Sequence, residues 1–291
     1  MLYTIENEKI KVTVNDLGAE IMSVVSKENG FEYIWQGNPE YWKGHAYNLF
    51  PICGRLWDGK YTYKGVTYEM NLHGFVRRST LAVKEQKDDF ISFILTPTEL
   101  TKNEYPFDFE LVISYALNGS AVTTNFDVVN TDSRELIFTV GGHPGFNLPM
   151  EEGLSFEDYY VEFPDGGIKL LDMTPACFVT GKTPDYPLED GNRIKMNHHL
   201  FDIDAIFLCD VPKSVVLKSD RGTRSVKLTY DGMKYLGLWH KPRTDAPYVC
   251  IEPWYGVPSD DNKVDDLETK RDMVHLPAGE KYHNEFTIEV K

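Results

Sequence analysis

Two runs of alternating residues meet at Asn118-Gly119, with Leu111 to Leu117 leading in and Ala121 to Val129 leading out. Asn and Gly accept the positive φ angles of a type I′ turn, whose twist matches that of paired strands. The stretch is therefore predicted to fold as a long β-hairpin. A hairpin alone is marginal, so the chain must supply further strands to cover its apolar face. Lys9 to Asn15 places Ile10, Val12 and Val14 on one side of a half-buried strand. Tyr61 to Tyr68 reads as two short strands about Lys64-Gly65, and a second hairpin about Asp220-Arg221-Gly222 joins Ser214–Lys218 to Ser225–Tyr230. Glu135–Val140, Ala205–Cys209, Tyr235–Trp239, Tyr248–Glu252 and Glu285–Val290 continue the series. Helical periodicity is scarce: Val264 to Met273 is the best candidate, and Pro39 to Lys43 has room for one turn. The 16 prolines and 22 glycines punctuate the whole chain without gathering into a linker. The expectation is one all-β domain over residues 1–291, a large antiparallel β-sandwich with few short helices.

Charge narrows the partners. With 30 Lys and Arg against 45 Asp and Glu, the net charge is −15, which opposes both nucleic acid and an anionic membrane surface. No apolar run approaches the ~18 residues of a bilayer span. The segment Met1 to Glu8 lacks the basic-then-apolar layout of a signal peptide, so the expected location is cytoplasmic. Cys53, Cys177, Cys209 and Cys250 lie far apart, without metal-knuckle spacing; Cys209 and Cys250 fall in apolar runs and read as small buried side chains. Aromatic residues make up 13% of the chain. That richness fits either a β core or a polyol ligand whose C–H faces stack on rings.

Three segments interrupt apolar runs with polar groups. Asn71 to Arg78 carries His73, Arg77 and Arg78. Gly141-Gly142-His143-Pro144-Gly145 surrounds one histidine with glycine and proline, which reads as a constrained loop at a strand end. Glu252 follows the apolar Tyr248–Ile251 and precedes Pro253. If buried, its carboxyl is pushed toward neutral pH and suits a general base; otherwise it ends the strand and faces water. Each histidine has the plain alternative of tethering its own loop. Arg55 stands out in an apolar segment, whereas Asp204 reads equally as a strand start. Asp260-Asp261 and Asp265-Asp266 read as a solvated face. Nucleotide, zinc-helix and serine-elbow motifs do not occur.

In order, FPICGRL with Arg55, NLHGF with His73, GGHPGFN with His143, DAIF with Asp204, LGLW with Trp239 and CIEPW with Glu252 resemble the aldose 1-epimerase (galactose mutarotase) family. The likeness is greatest to its LacX-like branch. The resemblance implies a β-supersandwich that interconverts the α and β anomers of a free sugar without cofactor or metal. It makes Glu252 the general base toward the C1 hydroxyl and His143 the general acid toward the ring oxygen, on opposite sides of the sugar ring. His73 and Arg55 then bind the sugar, Asp204 holds hydroxyls, and Trp239 or Trp254 stacks. The His-Gly-Phe-x-Arg form, with Arg77, also resembles the hexose-6-phosphate 1-epimerases. A sugar-binding or sensing protein of the same fold is the non-enzymatic alternative. The expected partner is a small sugar, bound by a monomer or weak homodimer.

Overall fold

The Asn118-Gly119 hairpin stands at the centre of a nine-stranded antiparallel sheet. In the computed structural model, which describes residues 1–291, Phe109–Asn118 pairs with Ala121–Asn130 along its full length, and Lys281–Val290 adds to the other side of Ala121–Asn130. The turn differs from expectation by one residue. Asn118 closes the ladder opposite Ala121, and only Gly119 has positive φ, at 57°. That is the II′ pattern, in which glycine takes the first central position and Ser120 the second.

A six-stranded sheet faces this one. Its order is Lys169–Leu170, Ile206–Cys209, Tyr235–Trp239, Tyr248–Trp254, Gly141–Asn147 and Ala46–Leu49. Gly142 on this sheet meets Phe286 of the nine-stranded sheet so closely that a Cβ would lie 2.5 Å from the ring. Between the sheets lies a continuous core of 65 buried residues. The tyrosines and phenylalanines concentrate there, whereas none of the five tryptophans belongs to it. Smaller sheets close the ends: Leu2–Glu6, Ile10–Asn15 and Glu20–Ser26 form one, with Ile10, Val12 and Val14 fully buried as expected. The whole is an antiparallel β-sandwich; the one parallel pair of strands is Asp265–Asp266 beside Lys60–Tyr63, with isolated parallel bridges at Phe50–Gly74 and Val179–Asp260.

The α-helix is the short Glu99–Glu104, capped by Thr98. Pro39–Lys43 makes its single turn, with the Tyr41 and Trp42 N–H groups donating to the Asn38 carbonyl. The expected helix at Val264–Met273 does not form: that segment contains the strand Asp265–Asp266 followed by a turn. There the Asp266 carbonyl takes the N–H groups of Thr269 and Lys270, and Asp265 is buried. Gly141–Asn147 is also a strand, not a loop. None of its glycines has positive φ; they are present because a Cβ at 141, 142 or 145 would press within about 3 Å of Trp254, Phe286 or Trp42. No helix is long and apolar enough to cross a membrane.

Candidate active site

The strand period of two divides the six-stranded sheet into a core face and an open face. On Tyr248–Trp254, Val249 and Ile251 enter the main core, while Cys250, Glu252 and Trp254 point away from it. On Tyr235–Trp239, Leu236 and Leu238 go inward and Trp239 outward. Register then assembles a row. Gly141 lies opposite Trp254 and Gly145 opposite Cys250, which sets His143 across from Glu252; Tyr47 flanks His143 on its other side. Gly237 neighbours Glu252, and the Phe207 ring fills the place of its missing side chain, 2.9 Å from where a Cβ would lie.

Nε2 of His143 lies 3.4 Å from Oε2 of Glu252. Both side chains are almost wholly enclosed, at 7% and 2% exposure, so the reading of Glu252 as a solvent-facing strand end does not hold. Burial raises the Glu252 carboxyl well above its ordinary range, and the charge of Asp204 adds to this. Burial likewise pulls the His143 imidazole down to about 3, with Arg77 contributing in the same direction. Desolvation thus favours a neutral pair with the proton on Glu252. The 3.4 Å contact favours the ionised pair with the proton on His143. Both arrangements hold one proton between the two residues.

These groups open onto a pocket of about 270 Å³. All eight residues given a site role from the sequence line it: Arg55, His73, Arg77, His143, Asp204, Trp239, Glu252 and Trp254. His73 and the Arg55 segment are zipped together, since the His73 N–H donates to the Gly54 carbonyl at 2.8 Å and the Gly54 N–H donates to His73 Nδ1 at 3.1 Å. The second bond fixes the neutral tautomer, leaving the proton on Nε2. Burial holds the His73 pKa well below the ordinary value, with the charges of His143, Arg77 and Arg55 adding to it. The turn is tight: His73 has φ +64°, and a Cβ on Gly74 would lie 2.2 Å from the Phe50 carbonyl oxygen.

Arg77 donates from Nε to the Leu72 carbonyl at 3.2 Å and sits 5.6 Å from the centre of the Tyr47 ring. Of the nine arginines, those at 78, 134, 193, 221 and 271 are in ion pairs; Arg55 and Arg77 are in none, nor are Arg224 and Arg243, which do not line the pocket. Asp204 takes the Ala205 N–H at 2.9 Å and faces the Cys177 thiol, which burial first and then this carboxylate push up to about 12. His143, Cys250 and Glu252 bring one N, one S and one O within 4.8 Å of each other. Burial and Glu252 hold the Cys250 thiol well above its ordinary pKa.

Sequence reasoning missed Trp42, Tyr47, Phe207 and Cys177, which also line the pocket. Trp42 sits alone in a turn with no polar motif beside it. Tyr47 had a signal only in the register with His143, which pairing alone discloses.

With this geometry in view, comparison with known proteins is direct. The aldose 1-epimerase family model matches residues 1–289. Protein LacX of Lactococcus lactis subsp. lactis is 32% identical over 281 residues, 93% of each chain. A galactose mutarotase related enzyme from Lactobacillus acidophilus superposes with a TM-score of 0.96 at 37% identity, covering 100% of this chain and 97% of that one. A galactose mutarotase-like protein from Lactobacillus casei gives 0.95 at 29% identity, with both chains covered completely. The chain belongs to the aldose 1-epimerase family of sugar isomerases.

Proposed function

We propose that the protein catalyses mutarotation of an aldose through one shared proton on Glu252 and His143. The observation that carries this reading is their 3.4 Å contact at the wall of a pocket lined by both aromatic and charged side chains. Ring opening takes the proton from the C1 hydroxyl onto Glu252 and delivers the His143 proton to the ring oxygen. The O–H electron pair becomes the C1 carbonyl as the bond from C1 to the ring oxygen breaks. Rotation about C1–C2 presents the other carbonyl face, and closure runs the transfers backwards. Opening converts the ionised pair into the neutral pair, the two arrangements favoured by contact and by burial respectively. Neither charge state is then a deep trap, which is what a reversible reaction needs.

Acid and base stand side by side in the pocket wall. This suits a hemiacetal, because the hydroxyl and ring oxygens share the single carbon C1. His73 Nε2–H and Arg55 donate to sugar oxygens, Asp204 accepts from hydroxyls, and Trp239 offers a stacking face. No step in this scheme calls on a metal or a cofactor.

A second substrate reading rests on Arg55 and Arg77. Two arginines lining one pocket, neither of them in an ion pair, favour an aldose carrying a phosphate. Polarimetry on freshly dissolved α-D-glucose, α-D-galactose and their 6-phosphates tests both readings. Acceleration of any one supports an epimerase; none across the panel leaves a sugar-binding protein.

A further inference from the structure

Acid–base histidines are commonly oriented by a hydrogen bond on the nitrogen that does not meet substrate. His143 lacks this: its Nδ1 is buried with no partner. Its ring is held by other rings. Trp42 stacks on it at 4.9 Å between centroids and 26° between planes. Tyr47, Trp239 and His73 meet it edge-on at 6.2, 5.7 and 5.5 Å. Trp42 is itself fixed, for Trp35 Nε1 donates to its carbonyl at 2.8 Å and its indole packs against Tyr47, Trp239 and Tyr248. Two glycines keep the slot open. A Cβ on Gly44 would lie 2.5 Å from Trp42 Cζ2, and one on Gly145 would lie 3.0 Å from Cζ3.

We propose that Trp42 is the positioning residue of His143, its indole face fixing the ring and stabilising the imidazolium that donates the proton. A π face attracts a cation most strongly where water is excluded, and indole is the best such face among the side chains. The proposal rests on the acid–base reading of His143 given above. The other groups facing His143 are Glu252 and Cys250 from Tyr248–Trp254, Tyr47 from Ala46–Leu49, and His73 and Arg77 from the segment before Ser79. Among them Glu252 favours the imidazolium and Arg77 opposes it. Trp42 supplies attraction without adding a second carboxylate, which would compete with Glu252 for the proton.

The test uses the full chain with Trp42→Leu and Trp42→Phe. Mutarotation kcat is expected to fall about ten- to hundredfold in Trp42→Leu, as for a misplaced catalytic group, with KM within about threefold. At least one limb of the kcat/KM pH profile is expected to move to lower pH by about half a unit, and Trp42→Phe to recover most of both effects. The ¹⁵N shifts of the His143 ring, read without sugar, report its protonation and tautomer whether or not the protein turns over. They are expected to change in Trp42→Leu and return toward wild type in Trp42→Phe. Should Trp42→Leu not fold, Gly145→Ala, which crowds the indole from its slot, is expected to shift the same resonances. Unchanged shifts with a raised KM would make Trp42 a sugar platform only and overturn the proposal. Full activity in both Glu252→Gln and His143→Gln, by contrast, would overturn the acid–base reading and leave the ¹⁵N result to decide Trp42.

Discussion

His143 and Glu252 come from adjacent antiparallel strands at the same level of the ladder, and their Nε2 and Oε2 atoms are 3.4 Å apart. The pair is therefore set by backbone register, and a slip of one residue in either strand would send one member into the core. Glu252→Gln preserves shape and removes the transferable proton. It is expected to lower the mutarotation rate by about 10²- to 10⁴-fold, the usual worth of a positioned acid or base. Sugar binding, followed through tryptophan fluorescence, is expected to change little. A variant that binds weakly yet turns over normally would move the base elsewhere in the pocket.

The same burial that tunes the pair ties stability to pH. The Glu252 carboxyl is held well above its ordinary 4.5, and His143 is taken from 6.5 to about 3. The folded state binds the Glu252 proton more tightly than the unfolded chain does. Its contribution to stability is fully present below pH 4.5 and is lost as pH rises toward its folded value. The folded state binds the His143 proton more weakly, so stability is lost as pH falls from 6.5 toward 3. The two slopes oppose each other between 4.5 and 6.5, and above 6.5 only Glu252 acts. Glu252→Gln is thus expected to melt above wild type in alkaline buffer, by a margin that grows as pH rises from 4.5, while it loses activity. A constant Tm difference between about pH 5 and pH 8.5 would mean that Glu252 is not held protonated.

What the sequence discloses follows from the range of the forces involved. Ile10, Val12 and Val14 declare their strand because period-two burial is local, and the Asn118-Gly119 turn is misplaced by only one residue. Glu252 is visible as a polar residue in an apolar strand, and His143 as one histidine among glycine and proline, in a segment that reads as a loop. Their contact is not, because it depends on register between segments about a hundred residues apart. The segment around Asp265 fails for the same reason. Val264 and Leu267 are three residues apart, as on one helix face, and the paired acids look solvated. In the fold Asp265 is instead enclosed with Lys270, Nζ and Oδ2 being 3.2 Å apart. A distant glycine is equally opaque: Gly145 looks like a loop residue until the indole of Trp42 is found where its Cβ would be.

Lys270 provides a test of how the pocket wall is held. Its ammonium donates to the Pro258 carbonyl at 3.0 Å, and Asp265 accepts from Ser259 Oγ at 2.6 Å. Ser259 N–H in turn donates to the Arg55 carbonyl at 3.0 Å, and Pro258 packs where a Gly54 side chain would otherwise lie. Removing one partner leaves a buried charge unpaired, so Lys270→Met is expected to cost about 3–5 kcal/mol in urea unfolding. Adding Asp265→Asn is expected to restore much of that loss. If the single variant were as stable as wild type, the ion pair would not be what secures this wall.

Arg77 decides between substrate classes. Its guanidinium lies over Tyr47 and donates to Leu72; it is in no ion pair, though its charge acts on the buried Glu20. Hydrogen bonds to charged groups are worth about 1.5–3 kcal/mol, so loss of one to a phosphate lowers kcat/KM by about ten- to hundredfold. Arg77→Met is expected to produce that loss for a hexose 6-phosphate and to leave the free hexose within about threefold, since the methionine stem keeps the packing on Tyr47. Raised salt is expected to weaken the phosphorylated substrate in wild type more than in the variant. Equal losses on both sugars would make Arg77 a support for Tyr47 and return the pocket to neutral aldoses.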